Sequence, residues 1–145
     1  MVRDHVFEIA ADPTKPFVAP KEEPAPPFLN FAPLQNAVAH LQKSARDFDK
    51  AAAAAPPDKQ EALDRAMMHF EQALIRDDGL PRRPWFRHQI YAPGYYTGYG
   101  VKTIPGVREA IEQKQWNEAN EQIGIVAKVL EGYVAEVDRA TAMAH

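Results

Sequence analysis

Leu80-Pro-Arg-Arg-Pro-Trp-Phe-Arg-His-Gln-Ile-Tyr-Ala-Pro-Gly-Tyr-Tyr-Thr-Gly-Tyr-Gly-Val-Lys-Thr-Ile-Pro-Gly106 is the stretch whose reading decides the fold. It holds four of the 13 prolines, four of the five tyrosines and one of the two tryptophans, while both flanks are helix-period sequence rich in Ala, Leu, Glu and Gln. A loop of this length inside a compact domain signals either function or disorder. Trp85, Phe86, Ile90, Tyr91, Tyr95, Tyr96 and Tyr99 carry too much apolar area to stay in water, which argues against disorder. The stretch therefore predicts a long ordered aromatic crossover loop over a helical scaffold, with some rings offered to a partner. Trp85, Phe86 and Ile90 are expected to anchor it by burial, with Arg87 and His88 structural between them. Tyr99 lies between Gly98 and Gly100, which let backbone approach a partner and leave the ring free.

Upstream, Leu34, Val38, Leu41, Ala45 and Phe48 recur at three- and four-residue steps and predict a first helix from about Leu34 to Ala55, stopped by Pro56-Pro57. A second helix is expected from near Asp58, with Glu61 completing a capping-box pattern. Its stripe is Leu63, Met67, Phe70 and Leu74, and it should end near Asp77-Asp78-Gly79. The short link between the two implies an antiparallel hairpin. Downstream, Pro105-Gly106 opens a short third helix with Val107, Ala110 and Ile111 inward. A turn at Gln113–Trp116 leads into a long fourth helix ending around Ala144. Its seam is Ala119, Ile123, Val126, Leu130, Tyr133 and Val137. Ile125 and Val129 form a second apolar row, so this helix is either central or meets another subunit. The fold class expected is all-α, an up-and-down four-helix bundle over residues 34–145. Within residues 1–33, a short Val2–Ala11 segment precedes a run from Pro13 to Pro33 so dense in proline that helix and central strand are both blocked there. Residues 1–33 read as a linker or wrapping arm, with Phe17, Phe28, Leu29 and Phe31 available to dock it.

With 145 residues the chain is one domain able to bury a core without staples. A net charge of -3 and a pI near 5.9 argue against a nucleic-acid partner. Cysteine is absent, which removes disulfide and thiol chemistry. No apolar run reaches the roughly 20 residues of a membrane span, and the N-terminal segment lacks the apolar core of a signal peptide, so no compartment is assigned. His5, His40, His69, His88 and His145 form no metal-binding spacing. The single serine, Ser44, sits in a charged helical stretch without a nucleophile elbow. Gly94, Gly98 and Gly100 have the wrong context for a phosphate loop. Arg76, Arg82, Arg83, Arg87 and Lys102 concentrate positive charge near the loop. They either meet a carboxylate ligand or acidic partner, or serve as solvated helix-end charges.

Gly79-Leu80-Pro81, Phe86-Arg87-His88-Gln89-Ile90-Tyr91-Ala92-Pro93, Tyr99 and Ile104-Pro105-Gly106 occur in one order. In that order they resemble the C-terminal helical domain of glutamate carboxypeptidase II, a domain shared with the transferrin receptor. Phe48-Asp49-Lys50 and Trp116 fit the same pattern, and the similarity covers roughly residues 30 to 140. The resemblance implies a non-catalytic homodimerisation domain that follows a zinc-dependent aminopeptidase-like domain. The two zinc ions and the carboxylate base would belong to that absent domain, leaving this chain without a cofactor and without enzymatic activity of its own. It also implies that one loop reaches the substrate pocket, where a lysine–tyrosine pair grips the carboxylates of a C-terminal glutamate. Tyr99 matches the tyrosine, whereas Gly98 stands at the lysine position, so the resemblance does not carry glutamate selectivity to this chain. The partners expected are a second copy, through Ile125 and Val129, and the peptidase domain. Two other readings remain. One is hydrolysis by the piece itself; the other is a stand-alone module binding a small carboxylate or peptide through Tyr95, Tyr96, Tyr99 and Arg87.

Overall fold

The fold is that of a computed structural model, which describes residues 3–9, 11–15, 18 and 20–145; the docking expectation for Phe17 lies outside them. Five α-helices occur among the described residues: α1 (Val6–Ile9), α2 (Ala32–Ala54), α3 (Pro57–Met67), α4 (Pro105–Glu112) and α5 (Trp116–Met143). A 3₁₀ helix covers Phe70–Leu74, and two short strands, β1 (Tyr91–Pro93) and β2 (Val101–Thr103), pair within the crossover. Proline opens α2, α3 and α4, where its missing N–H removes no helical hydrogen bond. Asn30 Oδ1 accepts the Ala32 N–H at 3.1 Å just before α2, satisfying one donor at its start.

Burial divides into two clusters along α5. The first joins Ala37 of α2 and Val107 of α4 to Ile123, Val126, Ala127 and Leu130. The second joins Phe48 and Ala51 of α2 and Leu63 of α3 to Val137, Ala140 and Ala144. Numbers rise together on the two long helices, and His40 of α2 meets Glu131 of α5 at 2.8 Å between the clusters. The two therefore run side by side in the same direction, where an up-and-down bundle would oppose its first and last helices. The up-and-down connectivity expected for the bundle is thus not the one formed; the body is mostly helical, with α5 at its centre packed on α2, α3, α4 and the 3₁₀ helix.

Two further differences have local causes. The second helix ends at Met67, leaving two residues before the 3₁₀ segment. Phe70 there packs edge-to-face on Phe48 at 5.7 Å and on Tyr133 at 5.8 Å. Leu74 turns instead to the first cluster. One straight helix cannot serve both clusters, so packing on α5 overrides the continuous apolar period. The second difference is the hairpin, which makes the fold not wholly α. Tyr91 pairs with Thr103, Ala92 with Lys102 and Pro93 with Val101, antiparallel. Strands of only three residues, Tyr-Ala-Pro and Val-Lys-Thr, are too short to carry a period-two signal.

The arm makes definite contacts. Leu29 and Phe31 pack against the first cluster, and Glu23 pairs with Lys114 at 2.7 Å in the α4–α5 turn. Phe28 is exposed. No helix among the described residues is long and apolar enough to cross a membrane.

Candidate functional site

The crossover is built as two stacked hairpin-like loops. In the first, Ile75 bridges His88, Arg76 N–H donates to the Arg87 carbonyl at 3.0 Å, and Leu80 N–H donates to the Phe86 carbonyl at 2.8 Å. Gln89 closes it, its own N–H reaching the Leu74 carbonyl at 2.9 Å and its side-chain amide the Arg87 carbonyl at 2.9 Å. The second is the β1–β2 hairpin, whose tip runs from Gly94 to Gly100. Gly94 N–H donates to the Gly100 carbonyl at 3.0 Å and Gly98 N–H to the Gly94 carbonyl at 3.1 Å. Gly98 holds φ +66°, a conformation that favours glycine, with open space where a side chain would stand.

Side-chain placement departs from the sequence expectation at one anchor. Trp85 is 70% exposed, against Phe86 at 6.3 Å between ring centroids, and so does not pin the loop. Phe86 and Ile90 are half-buried. Buried in the crossover before α4 are Leu80, Arg83, Gln89, Ala92 and Gly94. Pro84 lies directly beneath Gly79, so the chain turns too tightly there to carry the next residue's indole inward. The burial of Arg83, expected only as one of five loop cations, and of Gln89 and the α4 carboxylate Glu109 is not visible in the sequence, because nothing local marks a polar residue that will be sealed in by another segment.

His88 accepts the backbone N–H groups of Ile90 and Tyr91 on Nδ1, each at 3.2 Å, and its ring lies 3.9 Å from that of Tyr91. Two donors on Nδ1 require the neutral tautomer with its proton on Nε2, 3.6 Å from Glu71. Burial holds the imidazole below its ordinary value, with Glu71 opposing. Arg87 donates to the Arg76 carbonyl at 3.3 Å and pairs with Asp77.

The five cations around the loop are each answered by a carboxylate. Arg76 meets Asp78 at 2.7 Å, Arg82 takes Glu118 through both terminal nitrogens at 2.8 and 2.9 Å, and Arg83 meets Glu109 at 2.6 Å. Arg87 pairs with Asp77 and Lys102 with Glu112. The charge is therefore used in holding the crossover together, and among the described residues none of these five cations is left free for a stand-alone carboxylate site. What remains presented outward is aromatic. Tyr95 is held beside Arg82 and Arg83 at 5.9 and 5.7 Å, Tyr96 is mostly exposed, and Tyr99 is fully exposed at 103%.

Val129, expected at a subunit interface, is 8% exposed and packed within its own chain, while Ile125 is half-buried. α2, α3, α4 and the 3₁₀ helix all pack on α5, which draws the second apolar row partly inside. Among the described residues no three His, Asp or Glu side chains are placed to hold a metal ion.

A family model describing the transferrin receptor-like dimerisation domain matches residues 29–137. A probable glutamate carboxypeptidase of Arabidopsis thaliana is 40% identical over 78 residues, which are 49% of this chain and 11% of that protein. One from Arthroderma benhamiae is 37% identical over 90 residues, 61% of this chain and 11% of its own length. The chain thus spans about a tenth of the length of these curated relatives.

Proposed function

This chain belongs to the family of transferrin receptor-like dimerisation domains, and on that premise we propose that it pairs with a second copy of itself beside a glutamate carboxypeptidase-like peptidase domain. Catalysis belongs to that domain, with two zinc ions and a carboxylate base there. This chain contributes a two-fold contact and one loop, whose Tyr99 enters the substrate pocket. Gly98 at the adjacent position removes a cation from that pocket, so the substrate carries fewer carboxylates than a C-terminal glutamate offers, or meets them through other groups.

The observation that carries the loop assignment is the contrast within one tip. Tyr95 is held by two guanidinium groups, while Tyr99 is fully exposed and stands between glycines. In a protein carrying both domains, Tyr99→Phe should raise KM about tenfold, the value of a lost hydrogen bond to a charged group, with kcat nearly unchanged. The melting temperature of this chain should not move. An unchanged KM would remove Tyr99 from the pocket.

For the two-fold contact we propose the outer face of α5, on which Ile125 lies. Gly124 and Gly132 sit inside this helix, and apart from adjoining residues and the helix's own backbone no described atom lies within 4 Å of where their side chains would begin. Glycine in a helix interior costs about 1 kcal/mol relative to alanine, and packing within the chain gives no reason for it here. Close approach by a second helix does. A specific contact of this kind buries about 1,200 Å² or more. Gly132→Arg should raise the melting temperature of the monomer slightly, through helix propensity, while converting dimer to monomer in light scattering. A dimer of undiminished affinity would place the contact on another face.

A further inference from the structure

Both legs of the tyrosine-bearing tip are fastened to one helix. Glu109 and Glu112 stand almost one turn apart on α4. Glu112 pairs with Lys102 on β2, and Lys102, followed by Arg108, holds its carboxyl below the usual carboxylate range. Glu109 uses its two oxygens separately: Oε2 takes Arg83 Nη2 at 2.6 Å, and Oε1 takes the backbone N–H of Tyr95 at 2.7 Å. The other terminal nitrogen of Arg83 donates to the Pro93 carbonyl. Pro93 and Tyr95, on either side of Gly94, are thus both bonded to a pair whose side chains are 3% and 5% exposed. Beyond that point the described hydrogen bonds of the tip are internal to it: Gly94 with Gly100, Gly98 with Gly94, and Tyr99 N–H with the Thr97 carbonyl at 2.8 Å.

We infer that Arg83 and Glu109 are positioning residues for this tip, setting where Tyr99 is presented. The inference rests on the reading that Tyr99 enters a substrate pocket. A buried ion pair is a poor device for stability, since apolar residues of the same volume do as well or better. Arg83 Nε is itself buried without an acceptor, a cost that apolar packing would avoid. An ion pair adds direction. One planar carboxylate and one planar guanidinium hold a backbone N–H and a backbone carbonyl at fixed angles, without access for competing water. The guanidinium also lies 5.4 Å from the Phe86 ring and 5.7 Å from the Tyr95 ring, so it orders the aromatic base of the tip.

The test separates position from stability. In this chain, the double variant Arg83→Met/Glu109→Leu fills the same volume with apolar groups, and Glu109→Gln keeps the shape while removing the charge. Amide hydrogen exchange is followed well below the melting transition. Exchange at Tyr95 should rise about tenfold or more in both variants, with the amides of α2 and α5 unchanged. Wild-type protection at Tyr95 in the double variant, or uniform acceleration of all amides, would overturn the inference. In a protein carrying both domains the double variant should raise KM about as much as Tyr99→Phe, and the two changes together little more than either alone. If Tyr99→Phe leaves KM unchanged while the Tyr95 amide still opens, the pocket reading fails and the positioning role stands.

Discussion

Gly79→Ala should destabilise the chain by about 3 kcal/mol or more and lower its melting temperature by roughly 10 °C. Gly79 holds φ +65°, which costs an L-residue about 1–2 kcal/mol. An added Cβ would lie 2.2 Å from the Pro84 carbonyl oxygen and 2.6 Å from the Pro84 carbonyl and α carbons. These are backbone atoms, so the strain cannot be relieved by a rotamer change. Either the turn opens or the Leu80–Phe86 hydrogen bond, 2.8 Å long, is lost. Asparagine tolerates the left-handed region better than alanine, so Gly79→Asn isolates the collision. It should be nearly as damaging as alanine. A melt within 2 °C of wild type for Gly79→Ala would show that Pro84 does not press on this turn.

Phe48→Ala should cost about 3–5 kcal/mol, read from the midpoint of a urea titration at unchanged slope. Phe48 is the point at which α2, the 3₁₀ helix and α5 meet. It is buried in the second cluster beside Leu63 and Val137, and its ring stacks edge-to-face on Phe70. Removing it leaves Phe70 without one of its two aromatic neighbours and opens a groove already lined by Leu41, Ala45, Tyr133 and Leu130. The structure cannot close over that volume without moving a helix, so collapse offsets little of the loss. Phe48→Leu should recover roughly half. A cost below 1 kcal/mol for the alanine variant would mean that the 3₁₀ helix is held by Leu74 and the Phe70–Tyr133 contact without Phe48.

Much of the scaffold was legible. The stripes of α2 and α5 follow helical period over many turns, and proline marks the beginnings of α2, α3 and α4. The order of Phe86 through Pro93, Tyr99 and Pro105-Gly106 carried the family, because a long ordered set of residues is far more specific than any one spacing. Trp85 was misjudged as a burial anchor: its size implies apolar area, but area says nothing about which side of a tight turn it occupies. Val129 is a different case: its row reads from sequence as either central in the body or meeting another subunit, and packing places Val129 itself against the protein's own body.

The sequence by itself determined the helical class, the lengths of the two long helices, the place of the crossover and the family, all of which rest on periodicity, proline placement or residue order along the chain. Tertiary structure alone decided that α2 and α5 run in the same direction, and that α3 breaks so Phe70 and Leu74 serve different clusters. It also decided that Arg83 and Glu109, 26 residues apart, are sealed together beneath the tip. Local preferences act over one turn and set an element's kind and ends. Burial of a particular charged side chain depends on what arrives from elsewhere in the chain. Only when α4 docks on α5 does Glu109 meet the guanidinium and the Tyr95 N–H that make its burial tolerable.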